Sequence, residues 1–259
     1  TVDTTGKIGK VEYSTNDYGI DDIGEKSFFL IKNGTFDDIT VANNIKENVK
    51  SAKSFQIAGG TFNGTVTDGV ESYVAEGHIA NEDGTKVSED EIAQIGDTKY
   101  TNISAAVAAA SQDGTDTIKL LKSTTGSGVV INKSVTIDFG GHTYTTWGDV
   151  GSTGTETNGF QLLVGSDGVT PDITFKNGKI TSNRAYMAIQ NYSNLTLEDM
   201  TVELTTNYAM AYTLSNNNGN TVLKGETNII ASKKANISVA FDVCRFSSYK
   251  NGVTVTLDD

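Results

Sequence analysis

Ile173-Thr-Phe175-Lys-Asn-Gly178-Lys-Ile180 and Leu195-Thr-Leu197-Glu-Asp-Met-Thr-Val202 are one pattern written twice, 22 residues apart. Apolar side chains fall at matching places and polar ones stand between them. Alternation of period two marks a half-buried strand, and a fixed repeat marks stacked units that cannot bury their apolar faces alone. A unit of this size has no room for two helices but accommodates short strands joined by turns. The same offset places Tyr186 over Tyr208 and Ala188 over Met210, with the two tyrosines turned toward the interior. The expected fold is therefore all-β: a right-handed parallel β-helix of stacked rungs with a short capping α-helix.

The pattern recurs upstream. Phe29-Leu-Ile31-Lys-Asn-Gly34-Thr-Phe36 and Phe55-Gln-Ile57-Ala-Gly-Gly60-Thr-Phe62 share the form Phe-x-Ile-x-x-Gly-Thr-Phe, 26 residues apart. Gly34, Gly60 and Gly178 are read as corners, where a left-handed backbone costs other residues most. Between the early rungs, Ile45 and Val49 stand four apart in a helical turn or an inserted loop. Asp83-Gly84 between Ile79 and Val87 reads as a closing hairpin that blunts a sheet edge. Ser88 to Glu91 has capping-box spacing for a short helix. Asn102 to Ser111 is the convincing helix, capped by Asn102, with Ile103, Ala106, Val107 and Ala110 as its apolar stripe. A helix set before a series of rungs serves best as a lid, so two modules are expected: 1–95, rungs ending in the hairpin, and 96–259, rungs opened by the helix. Trp147 to Gly159 is a long excursion, a length often tied to function. No cap-like segment follows Val253-Thr-Val-Thr-Leu257, which reads as an excerpt of a longer tandem array or as open ends covered by a partner, self-association through those ends being one form of the latter.

Composition narrows the function. The net charge of −12 over 259 residues argues against nucleic acid or an anionic membrane surface as partner. No apolar run approaches the roughly 18 residues that span a bilayer, so no membrane insertion is expected. The single cysteine, Cys244, leaves stability to packing and backbone ladders.

Gly59-Gly-Thr-Phe62 leading to Ser72-Tyr-Val-Ala-Glu-Gly-His78, Gly96-Asp-Thr-Lys-Tyr-Thr-Asn-Ile-Ser-Ala-Ala-Val-Ala-Ala-Ala110 and Val135-Thr-Ile-Asp-Phe-Gly-Gly-His-Thr-Tyr144 resemble modules of large bacterial surface proteins, common in gut Firmicutes, of the pectate-lyase-like parallel β-helix superfamily. The resemblance covers roughly residues 28–145 by motif and specifies architecture better than activity. It implies secretion, a place at the bacterial cell surface, and adhesion or contact with a glycan or a host surface protein. The superfamily also contains polysaccharide lyases and hydrolases.

For such catalysis a lyase needs Lys or Arg beside carboxylates or Ca²⁺, and a hydrolase needs facing carboxylates. Arg184 and Arg245 are the only arginines, and the 22-residue offset sets Thr206 over Arg184, so no basic column forms. Lys176 and Glu198 are expected to pair across neighbouring strands. No catalytic set is assigned. His78 and His142 lack partners at metal-ligand spacing, so no metal is assigned; the acidic trio Asp21, Asp22 and Glu25 is either a Ca²⁺ loop or simply solvated. Cys244 is read as a strand residue rather than a nucleophile. The functional clue is aromatic: Tyr144, Trp147, Tyr192 and Tyr212, with Arg184, are the candidate ligand-binding residues, because rings beside Asn and Gln make a surface for sugars.

Overall fold

The computed structural model describes residues 1–14, 28–75, 77–152, 154–247 and 252–258. The acidic trio Asp21, Asp22 and Glu25 lies outside them. The chain is all-β and divides into two compact units, Thr1–Glu91 and Ile92–Asp259. The boundary precedes the expected Gly96 because Ile92 and Ala93 are buried in the second unit's core, and Ala93 pairs with Leu120.

The first unit comprises β1 (Val2–Tyr13), β2 (Phe29–Val41), α1 (Lys46–Ala52), β3 (Phe55–Ile57), β4 (Gly60–Phe62), a 3-10 turn (Val70–Tyr73), β5 (His78–Ala80) and β6 (Lys86–Glu89). β2 lies parallel to β1, β3 and β4. The 26-residue repeat is the pairing register itself: Phe29 faces Phe55, Ile31 faces Ile57, and Phe36 faces Phe62. Like rings then fall on like rings, and both Phe29–Phe55 and Phe36–Phe62 stack, with centroids 5.6 and 5.5 Å apart. Gly34 and Gly60 hold φ of 137° and 113° at the corner, as their composition requires. α1 buries Ile45 and Val49 against the same core. The hairpin forms, and its β6 pairs antiparallel with β4, covering that edge. Ser88 and Glu89 lie in β6, so the expected helix there is absent; pairing with β4 and β5 outweighs a capping signal followed by too short an apolar stretch.

The second unit runs β7 (Ala93–Ile95), β8 (Thr98–Tyr100), α2 (Ile103–Ala109), β9 (Asp113–Leu120), β10 (Thr124–Gly126), β11 (Val129–Ile131), β12 (Ser134–Asp138), β13 (Thr143–Thr146), β14 (Asn158–Leu162), β15 (Asp172–Ser182), β16 (Met187–Asn191), β17 (Asn194–Leu204), β18 (Met210–Asn217), β19 (Asn220–Lys224), β20 (Asn228–Ile230), β21 (Ile237–Cys244) and β22 (Thr254–Asp258). These strands make an eleven-stranded sheet and a five-stranded sheet, β11-β14-β16-β18-β21. Pairing is parallel except where β7 meets β8 and β9, so the larger sheet is mixed.

Register stacks the core into three columns. Ile118, Ile137, Phe175, Leu197, Leu223 and Leu257 follow one another across β9, β12, β15, β17, β19 and β22. Val129, Phe160, Ile189, Leu214 and Phe241 form the second column, and Tyr144, Ile180, Val202 and Ile229 the third. All members but Leu223, Ile229, Phe241 and Leu257 are fully buried, and each such apolar side chain contributes about 1.5–3 kcal/mol. α2 is capped by Asn102, whose Oδ1 accepts from Ala105 N at 2.7 Å, and turns Ile103, Ala106 and Val107 onto this core.

Two sequence expectations need correction. The 22-residue offset holds from Asp172–Asn194 to Ser182–Leu204, but beyond it Met187 faces Tyr212 and Ile189 faces Leu214, an offset of 25. The corner before β18 is three residues longer than that before β16, so Ala188 does not face Met210. Gly178 is also not the left-handed residue. That conformation belongs to Asn177, Asp199 and Gly225, at φ 58°, 52° and 54°, stacked at one bend. Gly178 is small for another reason: a Cβ there would lie 2.4 Å from Phe139 Cβ.

At the end of β16 and β18 the interior column becomes polar. Asn191 and Asn216 are fully buried, and Asn191 Nδ2 donates to Asn216 Oδ1 at 2.9 Å. Asn191 Oδ1 accepts from Ser193 N and Oγ, and Asn216 Nδ2 donates to Gly219 O, so the turn's backbone satisfies these amides.

Candidate functional site

Alternation on the five-stranded sheet decides what it shows outward. With Phe160, Ile189, Leu214 and Phe241 turned to the core, the next residue on each strand points away. These are Gln161, Gln190, Ser215 and Asp242, in register behind Val130, with Gln161 and Ser215 nonetheless buried and Gln190 and Asp242 half-buried. The column is tied together. Asn158 Nδ2 and Gln161 Nε2 both donate to Gln190 Oε1, at 2.9 and 3.2 Å, and Gln190 Nε2 donates to Tyr192 OH at 3.3 Å. Ser215 Oγ lies 3.3 Å from Asp242 Oδ2 and donates to it.

Tyrosines flank this column on the side of the strand starts. The Tyr186 ring meets Tyr208 and Tyr212 edge-on, with centroids 6.1 and 5.5 Å apart. Tyr208 is 41% exposed and Tyr186 half-buried, so the expected interior placement fails for Tyr208. Both tyrosines precede their strands, Tyr186 before β16 and Tyr208 before β18, where alternation no longer sets the direction of a side chain. Burial, then the neighbouring Tyr212, raise the Tyr186 phenol above its usual pKa and keep it a neutral donor.

The excursion after β13 is folded back. Val150 and Asn158 exchange backbone hydrogen bonds, and Asp149 accepts from Gly128 N. Gly148 allows the fold-back: at φ 70°, a Cβ there would lie 2.5 Å from Ala185 Cα. This close approach brings Trp147, 43% exposed, beneath the guanidinium of Arg184, 4.8 Å from the ring centroid. At a site this open such a contact is worth about 0.5–1 kcal/mol. The corner carrying Arg184 is pinned by buried Ser182, whose Oγ donates to Thr146 O and accepts from Arg184 N and Ala185 N.

Of the five expected ligand-binding residues, two stand beside this column and two meet each other at the corner before β16. Tyr192 and Tyr212 flank the polar column, and Trp147 pairs with Arg184. Tyr144 does not belong: it is buried, packs edge-on against Phe160 and donates its hydroxyl to Ser127 O at 2.7 Å. Its place in β13 puts it in the third core column. Lys176 does face Glu198 in register, but its ion pair is with Asp138 at 4.0 Å. A closer pair on the same strands joins Lys179 to Glu203 at 2.6 Å. Cys244 is a half-buried residue of β21, whereas His142 lies in the turn before β13 of the other sheet. Among the described residues no group of three or more His, Cys, Asp or Glu is placed to hold a metal ion, and no helix is long and apolar enough to cross a membrane.

Two cavities escaped the sequence reading. One, of about 320 Å³, is bounded by Ser152, Gln161, Leu163, Val164 and Tyr192 beside the polar column. The other, of about 710 Å³, lies in the first unit between the outward residues of β2–β4 and the hairpin, with Leu30, Gln56, His78, Lys86 and Glu89 on its walls. The signal for the first was present in the alternation of Phe160-Gln-Leu162 and Ile189-Gln-Asn191. It went unused because the two strands stand 29 residues apart and only their register aligns the glutamines.

Fold and site define an all-β protein with a polar, tyrosine-flanked outer face on parallel strands. No family model, no curated protein and no solved structure matches the chain.

Proposed function

We propose that the chain is a right-handed parallel β-helix module of an extracellular, bacterial cell-surface protein, acting without catalysis in adhesion or glycan contact. The β-helix reading is supported by the three in-register core columns and by the stacked left-handed bend at Asn177, Asp199 and Gly225. The contact reading rests on one observation: an outward column of hydrogen-bonded amides flanked by tyrosine rings. Amides offer donors and acceptors in fixed directions and rings offer apolar faces, the combination that hydroxyl-rich ligands need. The test is to incubate the protein with a panel of polysaccharides and follow both retention and soluble products. Retention without new products supports the reading. Release of unsaturated or reducing ends would replace it with a polysaccharide lyase or hydrolase.

A second reading, assembly with another copy, has its own observation. Leu257 continues a core column yet is 79% exposed, and Val255 two residues before it on β22 is also exposed. A parallel strand laid on β22 in register would stack on Val255 and Leu257, as β22 stacks on Thr221 and Leu223 of β19. Light scattering that shows dimers or polymers, abolished by Leu257→Lys, supports assembly; a strict monomer at high concentration overturns it.

A further inference from the structure

We infer that the cavity bounded by Ser152, Gln161, Leu163, Val164 and Tyr192 takes one uncharged pyranose unit, a hydroxyl of which donates to Gln161 Oε1 while the ring lies against Tyr192. This rests on the glycan-contact reading above and narrows it to a ligand class and a place. The anchor of the cavity is Gln161. It is only 6% exposed, and its Nε2 is committed to Gln190 Oε1 at 3.2 Å. Gln190 Oε1 also accepts from Asn158, and Gln190 Nε2 donates to Tyr192 OH, which together fix which way these amides point. No hydrogen bond among the described residues reaches Gln161 Oε1. The oxygen is not among the buried atoms left without a partner, so it meets solvent in the cavity, where a ligand hydroxyl can take the place of water.

The remaining walls select among donors. Leu163 and Val164 are aliphatic, Ser152 brings a hydroxyl, and none of the five residues carries a charge at neutral pH. A carboxylate or sulfate has only acceptors and would meet the Gln161 oxygen like to like. An ammonium would find no counter-charge. A sugar hydroxyl donates and accepts, and a pyranose has an apolar face for the tyrosine ring. The volume of about 320 Å³ falls at the small end of ligand sites and suits a single ring with its linkages open to either side.

Isothermal titration of the full chain with cellotriose, maltotriose, xylotriose and trigalacturonate tests the assignment. At least one neutral trisaccharide is expected to bind more tightly than trigalacturonate. Gln161→Leu removes the acceptor at nearly constant volume and Tyr192→Ala removes the ring; each is expected to weaken that sugar by about tenfold or more. Tyr192→Phe keeps the ring and is expected to stay within about threefold. Should Gln161→Leu fail to fold, the Tyr192 pair carries the test alone. Equal or tighter binding of trigalacturonate overturns the inference. So does a neutral sugar bound equally well by wild type, Gln161→Leu and Tyr192→Ala, which would place contact elsewhere and leave the glycan reading standing. Absence of binding to every sugar overturns both.

Discussion

Single residues control this fold mainly through charge and backbone shape. Asp68, itself at φ 60°, accepts from Lys50 at 2.6 Å and Lys46 at 3.0 Å, latching α1 to the turn before the 3-10 segment. The Lys50 hydrogen bond, then that of Lys46, holds the Asp68 carboxyl below its ordinary value of 3.8. Hydrogen bonds from Thr85 and Thr115 likewise lower Asp83 and Asp113. A depressed folded pKa gives stability that is present above the unfolded value and lost as pH falls through the folded one. Denaturant titrations should therefore show stability falling below about pH 4, and Asp68→Asn should flatten that fall; an unchanged acid limb would remove the latch from the account. Backbone shape makes a second prediction. Gly60→Ala meets both φ 113° and a contact of 3.0 Å with Gly34 O, so it should cost about 1–3 kcal/mol. Gly9→Ala, with nothing within 4 Å, should be near neutral in the same melts.

At the scale of elements, a strand's worth depends on having neighbours on both sides. Phe175 and Leu257 occupy the same core column, yet Phe175 is fully buried between β12 and β17 whereas Leu257 stacks on β19 alone. Phe175→Ala should cost about 3–5 kcal/mol, and Leu257→Ala within about 0.5 kcal/mol. Equal losses would mean that the last strand is covered in solution. The helix makes a smaller test: Asn102→Ala removes the cap on Ala105 N and should cost about 1 kcal/mol by chemical denaturation. The repeat that announced these strands was legible because each of β15 and β17 is a continuous phrase of matched length. The corners were not, since three added residues before β18 change the offset from 22 to 25 without altering either strand's pattern.

For the whole molecule, the buried side chains fall into two separate clusters, Ile31 to Val87 and Ile92 to Leu214. Each is a core in its own right, so calorimetry should resolve two transitions. Phe55→Ala, at a buried position of the first cluster, should lower one transition by the equivalent of about 3–5 kcal/mol and leave the other in place. A single transition shifted as a whole would show one cooperative unit instead.

Sequence alone determined what is local or strictly periodic: the strands and their inward residues, the register of the two Phe-x-Ile repeats, the capped helix, and the corner glycines of the first unit. Each depends on the spacing of apolar side chains or on a conformation few residues tolerate, and both are written in consecutive positions. Tertiary structure decided what depends on alignment between distant strands. It buried Tyr144, exposed Tyr208, set Trp147 under Arg184, and drew Asn158, Gln161, Gln190 and Tyr192 into one network. The outward face of a parallel sheet is composed one residue per strand, so its chemistry exists only once the register across strands is set.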